Sequence, residues 1–183
     1  MKTILVIGVI ALIALFFIAQ YNRLIRLNIS ADEAFSQIEV QLKRRTDLIP
    51  NLVETVKGYA KHEQGTLDAV ISARAKATTA TTVADVAAAD GALTQALRGL
   101  LAVAEAYPDL KASSNFLSLQ EELSTTENKV AFARQFYNDT VRSLNTAVKT
   151  IPTSFFAGFA KVTEREFYEV VDPQDRNVPK VSF

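Results

Sequence analysis

Two groups of polar residues have the types and spacing to do chemistry. Arg44, Arg45, Asp47, Pro50 and Asn51 gather around one proline, with Tyr59, His62 and Glu63 shortly after. Farther on stand Glu127, Asn128, Arg134 and Asn138. Spacings of seven and four place Glu127, Arg134 and Asn138 on one angular stripe of a helix, beside an apolar seam. A carboxylate, a guanidinium and an amide facing Arg44, Arg45 or Asp47 of a neighbouring helix could converge into a polar pocket. The reading we favour is plainer: paired groups that fix helix register. Buried charges persist when paired, and pairing yields specificity more than activity.

Metal and nucleophile chemistry fare worse. Bundle di-iron sites need two Glu-x-x-His pairs, whereas this chain has one His, and Tyr59 stands three residues before it. His62-Glu63 is followed by Gln64-Gly65-Thr66, so HExxH is absent as well. A Ser-His-Asp arrangement would have to use His62, with no GxSxG nearby. The six Gly residues are scattered and form neither GxGxxG nor a Walker A loop. With no Cys there is no disulfide, thiolate site or lipobox. We therefore assign no catalytic, cofactor or metal-binding residue, and expect no cofactor and no enzymatic activity. Twenty basic residues balance twenty acidic ones, which gives no electrostatic pull toward nucleic acid.

The elements that must hold these residues are helical. Gly, Pro and Trp are scarce or absent, and no stretch alternates with period two. Residues 4–19 form an unbroken apolar run, preceded by Lys2 and followed by Gln20-Tyr21-Asn22-Arg23. About 20 residues cross a hydrocarbon core, so this run spans with Thr3, Gln20 or Tyr21 at the interfaces. Phe17 is too large for a small-x-small cleavage site ending at Ala19, which favours a retained anchor over a signal peptide. Lys2 on one side and Arg23 and Arg26 on the other leave the positive-inside rule little asymmetry to read.

Four helices are predicted beyond the anchor. The first covers about 21–46, with Ala31, Ala34 or Phe35, Ile38 and Leu42 at helical spacing, and ends at Asp47-Leu48-Ile49-Pro50. The second starts near Pro50 and carries Leu52, Val56, Tyr59, Leu67, Val70 and Arg74 on its stripe. The third covers about 85–106 and the fourth about 113–150. The seam of the fourth runs through Phe116, Leu119, Leu123, Val130, Tyr137, Val141, Leu144 and Val148, with Thr126 and Ala133 in the gaps. Short connections imply an antiparallel up-down four-helix bundle. Phe155, Phe156, Phe159, Val162 and Phe167 make an aromatic, roughly helical strip that closes one end of the bundle. The alternative is a surface for a partner or the bilayer. The expected domains are an anchor (1–21), the bundle (22–151), the aromatic segment (152–171) and a loosely ordered tail (172–183).

Two blocks carry a family resemblance. RRTDLIPNLVETVKGYAKHE (44–63), after Tyr21-Asn22, and AYPDLKASSNFLSLQEELSTTENKVAFARQFYNDTV (106–141) together resemble the LemA family of bacterial membrane proteins. With the anchor and the VPKVSF ending, the resemblance covers nearly the whole chain. Leu144-Asn145 departs modestly from the Tyr-Asn or Phe-Asn pair that the family tends to repeat there. The resemblance implies an up-down four-helix bundle on an N-terminal transmembrane helix, and no established reaction. Some members look like lipoproteins, which implies an extracytoplasmic bundle for them, and others are drawn with the bundle in the cytoplasm. The expectation is a single-pass protein of the bacterial inner membrane, its bundle leaning to the extracytoplasmic side. It contacts the bilayer through residues 4–19 and acts as a self-assembling scaffold or, alternatively, as an accessory subunit of a membrane protease or transporter.

Overall fold

A computed structural model describes residues 1–60 and 62–169. Among them helix follows helix: α1 (Lys2–Tyr59), α2 (Gln64–Thr79), α3 (Val83–Glu105), α4 (Pro108–Lys111), α5 (Ser114–Lys149) and α6 (Ser154–Ala160). A stretch without regular secondary structure follows at 162–169, and there is no strand among the described residues. The all-α bundle behind a long N-terminal apolar helix is thus as the sequence predicts. The tail 172–183 lies outside the described residues.

The helices sort into two compact units, Met1–Gln37 with Arg134–Phe167, and Ile38–Ala133 with Tyr168. Both α1 and α5 contribute residues to each. In the second unit, Ile49, Leu52 and Val56 of α1 pack with Leu67 and Val70 of α2, Leu93, Leu97 and Leu100 of α3, and Phe116 and Leu123 of α5. The three-residue turn at 80–82 makes α2 and α3 antiparallel neighbours. In the first unit, Leu24 of α1 packs with Ala147 of α5 and with Phe156 and Ala157 of α6. Farther along α1, the Phe35 ring meets that of Tyr137 at 5.7 Å.

The expected break at residues 47–50 does not occur. α1 runs through Pro50 without interruption to Tyr59, so the predicted first and second helices are one up to that point. Proline removes the N–H that would bond the carbonyl four residues back, here that of Thr46. That carbonyl is not orphaned: Arg74 of α2 donates to it from Nε at 2.9 Å. Pro50 itself is exposed, and Ile49 and Leu52 on either side are buried, so apolar packing holds the helix across the proline. α1 instead ends at Tyr59 and α2 starts at Gln64, with the Glu63 N–H bonding back to the Ala60 carbonyl. The aromatic strip is also less regular than expected. α6 ends where Lys161 adopts a left-handed φ of 51° and the Val162 N–H closes on the Ala157 carbonyl. Phe167 therefore lies outside the helix.

The start of α3 has a built cap. Thr82 Oγ1 accepts from the Asp85 N–H at 3.1 Å, and Asp85 sits in the first turn where the helix dipole favours a negative charge. Thr82→Ala is expected to cost about 1 kcal/mol. A urea midpoint unchanged from that of the native chain would contradict the cap.

The amino-terminal part of α1 is long and apolar enough to cross a membrane. Every residue from 1 to 19 is exposed, with Ile4, Ile7, Leu12 and Leu15 each more than 60% so. An apolar cylinder of that extent is unstable in water and requires an apolar medium around it.

Candidate functional site

The charged centre of the second unit is Arg45, which is 1% exposed. It occupies a core position of α1: Ala31, Ile38, Arg45 and Leu52 recur every seven residues and all are buried. Its Nη1 donates to Asp90 Oδ1 at 3.1 Å and to Thr94 Oγ1 at 3.0 Å, both on α3. Its Nη2 reaches Glu127 Oε2 of α5 at 3.3 Å. Asp90 is also 1% exposed, and its second oxygen accepts from the Tyr168 hydroxyl at 2.9 Å. One guanidinium thus ties α1 to α3 and α5, and one carboxylate ties α3 to the chain after α6. Glu127 is 49% exposed at one edge of the cluster, and Thr94 is half-buried. A guanidinium and a carboxylate buried this completely have no face left for a substrate. What they can do is fix which helix faces which.

The other candidates from the sequence are dispersed. Asp47 pairs with Lys43 one turn back on the exposed face of α1, at 3.1 Å. Arg44, Pro50, Tyr59, His62 and Asn128 are exposed. Asn51 lines a shallow groove with Glu54, Thr55, Asn115 and Ser118. Glu63 is half-buried and accepts from the Tyr107 hydroxyl at 3.2 Å. Desolvation, then the Glu63 carboxylate, raise the pKa of that hydroxyl. Arg134 and Asn138 are half-buried on the part of α5 that belongs to the first unit. Of the predicted network, the structure brings Arg45 and Glu127 together. No contact among the described residues joins His62 to Asp47 or Glu127. The described residues also hold no group of three His, Cys, Asp or Glu side chains suited to a metal ion.

A second polar clamp lies in the first unit. The Asn145 amide both donates to the Arg165 carbonyl and accepts from the Arg165 N–H, each at 2.9 Å. The Tyr137 hydroxyl donates to the Glu166 carbonyl at 2.9 Å. The irregular stretch after α6 is thereby pinned to α5. Burial raises the Tyr137 pKa above its ordinary value near 10; the Glu166 and Asp32 carboxylates add to the shift and Arg165 opposes it. The folded state therefore holds the phenolic proton more tightly than the unfolded chain. The stability this contributes is intact below about pH 10 and is lost as pH climbs through the folded-state value. Urea midpoints should fall between about pH 9 and about pH 11, and fall less in Tyr137→Phe. Equal falls would contradict this assignment.

Comparison with known proteins bears on the same helices. A family-wide profile described as LemA family matches residues 34–183, most of the chain and all of the polar cluster. The chain belongs to the LemA family. It is 27% identical over 142 residues to "Protein LemA" of Metamycoplasma hominis, covering 77% of this chain and 65% of that relative, just under two thirds of its length. It is 22% identical over 192 residues to "Magnetosome protein MamQ" of Magnetospirillum gryphiswaldense, covering 88% and 71%. "Magnetosome protein MamQ 2" of Paramagnetospirillum magneticum is similar to the same degree, 22% over 195 residues. None of these names denotes a reaction.

Within this LemA-family chain the sequence reading missed Asp90, Thr94 and Tyr168, and placed Arg74 only as part of an apolar stripe. A signal for Asp90 was present. The α3 core sequence Val86, Leu93, Leu97 and Leu100 has a gap at 90, where helical spacing demands a buried residue and the chain supplies a carboxylate. Arg45 carries the same signature on α1. Tyr168 has no such signature, because it lies outside any helix.

Proposed function

We propose that this chain is a non-enzymatic, membrane-anchored helical scaffold of the bacterial inner membrane, and that its bundle self-associates. One observation carries the reading. The most deeply buried charges, Arg45 and Asp90, are paired with each other inside the fold, while large apolar side chains stand exposed. In the second unit Phe132 is 72% exposed and Val40 62%. Exposed aromatic side chains are the usual anchors of protein interfaces, and a polar centre locked by Arg45 and Asp90 supplies the rigid surface that presents them. Residues 4–19 supply the anchor. The relatives' names, LemA and magnetosome protein MamQ, denote no reaction, which is compatible with this reading.

The absence of cysteine permits a site-specific test. Phe132→Cys in native membranes should give a disulfide-linked dimer on mild oxidation. Ser72→Cys, on the exposed face of α2, should give little. Equal yields from both, or none from Phe132→Cys, would contradict self-association through this face.

A further inference from the structure

The aromatic residues around α6 divide sharply. Phe156 is buried, and its ring meets that of Phe17 edge to face, with centroids 5.0 Å apart. Phe17 lies within the apolar run, two residues from its end at Ala19. Phe156 and Ala157 also pack with Leu24. α6 therefore lies against α1 from Phe17 to Leu24, about 10 Å of helix that straddles the end of the apolar run. On the other side of α6, Phe155 is 68% exposed and Phe159, one turn on, is 84% exposed. Ile151, one spacing of four earlier, is 75% exposed.

We infer that Phe155 and Phe159 of α6 insert into the bilayer beside the anchor, at the boundary between headgroups and acyl chains. The inference rests on the reading of residues 4–19 as a membrane span. If that run is in the bilayer, its contact with Phe156 fixes the level of α6 at one edge of the hydrocarbon. Aromatic rings exposed at that level meet lipid and not water, the placement that aromatic side chains favour in membrane proteins. The neighbouring charges suit the same boundary. Arg23, Arg26 and Lys161 are exposed cations within or next to the segments that bracket this level, where they can meet lipid phosphates. The chain thus has a second point of membrane contact, which would fix how α1 tilts and rotates in the bilayer.

The chain has no Trp, so single replacements report depth in the full-length protein. Phe159→Trp, Phe17→Trp and Phe136→Trp are reconstituted separately into phosphatidylcholine–phosphatidylglycerol vesicles with lipids brominated along the acyl chain. Phe136 adjoins Tyr137, which packs on Phe35, sixteen residues past Ala19 and so about 24 Å along α1 from the end of the apolar run. Phe159→Trp and Phe17→Trp should be quenched severalfold more than Phe136→Trp, with Phe159→Trp quenched best by bromines near the headgroup end. Quenching of Phe17→Trp without that of Phe159→Trp would overturn the inference and leave the anchor standing. No quenching of either would overturn both.

Discussion

Arg45→Met is expected to lower the unfolding free energy of the bundle by about 3–5 kcal/mol. The loss of three hydrogen bonds is only part of the reason. Asp90 remains 1% exposed and loses the guanidinium that faces its Oδ1, while the Tyr168 hydroxyl stays on its second oxygen. Taking a charge-assisted partner from a buried carboxylate is among the costliest changes a core can suffer. Replacing both partners, as Arg45→Met with Asp90→Leu, removes the stranded charge and should recover most of the stability. Chemical denaturation followed by far-ultraviolet circular dichroism distinguishes the cases. A double variant no better than Arg45→Met would show that the pair supplies net stability. A single variant within about 0.5 kcal/mol of the native chain would deny that Arg45 is the centre of the core.

Pro50→Ala is expected to stabilise the protein by about 1–2 kcal/mol, an unusual sign for a substitution within a matched family block. A proline inside a helix costs about 3 kcal/mol relative to alanine. Here the Arg74 hydrogen bond to the Thr46 carbonyl offsets part of that cost. Proline also restricts the unfolded chain, worth about 0.4–1 kcal/mol in its favour. With alanine at 50 an N–H becomes available to Thr46, and Arg74 loses its special partner. Arg74→Met should accordingly cost about 1.5–3 kcal/mol in the native chain and less than about 1 kcal/mol beside Pro50→Ala. Equal costs in both backgrounds would mean that Arg74 does not compensate for the proline.

These two sites show what the sequence disclosed and what it withheld. Apolar spacing identified the α5 seam from Phe116 to Val148 because helical periodicity is a local property, and the exposed apolar run at the amino terminus declared itself by length. Pro50 misled because the rule that proline ends a helix is also local, whereas the remedy, Arg74, comes from another helix. Polar residues gathered around the proline suggested a site, yet Asp47 and Arg44 point outward and only Arg45 turns into the core. Its partner Asp90 lies 45 residues away; the gap in the α3 stripe marks it as buried, but only the packing of the two helices shows that it pairs with Arg45. The roughly helical spacing of Val162 and Phe167 with the residues before them misled, because the helix ends at Ala160. The placement of residues 162–169 depends on Asn145 and Tyr137 reading the backbone at Arg165 and Glu166, which no spacing rule anticipates.

The central claim is that this chain acts by assembling, with its polar centre devoted to architecture. The mass of the intact protein, extracted gently from its own membrane after brief cross-linking, tests it most directly. A ladder or a homogeneous assembly of this chain alone is the expected result. A monomer free of any partner would contradict the claim, and a defined complex with a different protein would replace self-assembly with the role of an accessory subunit.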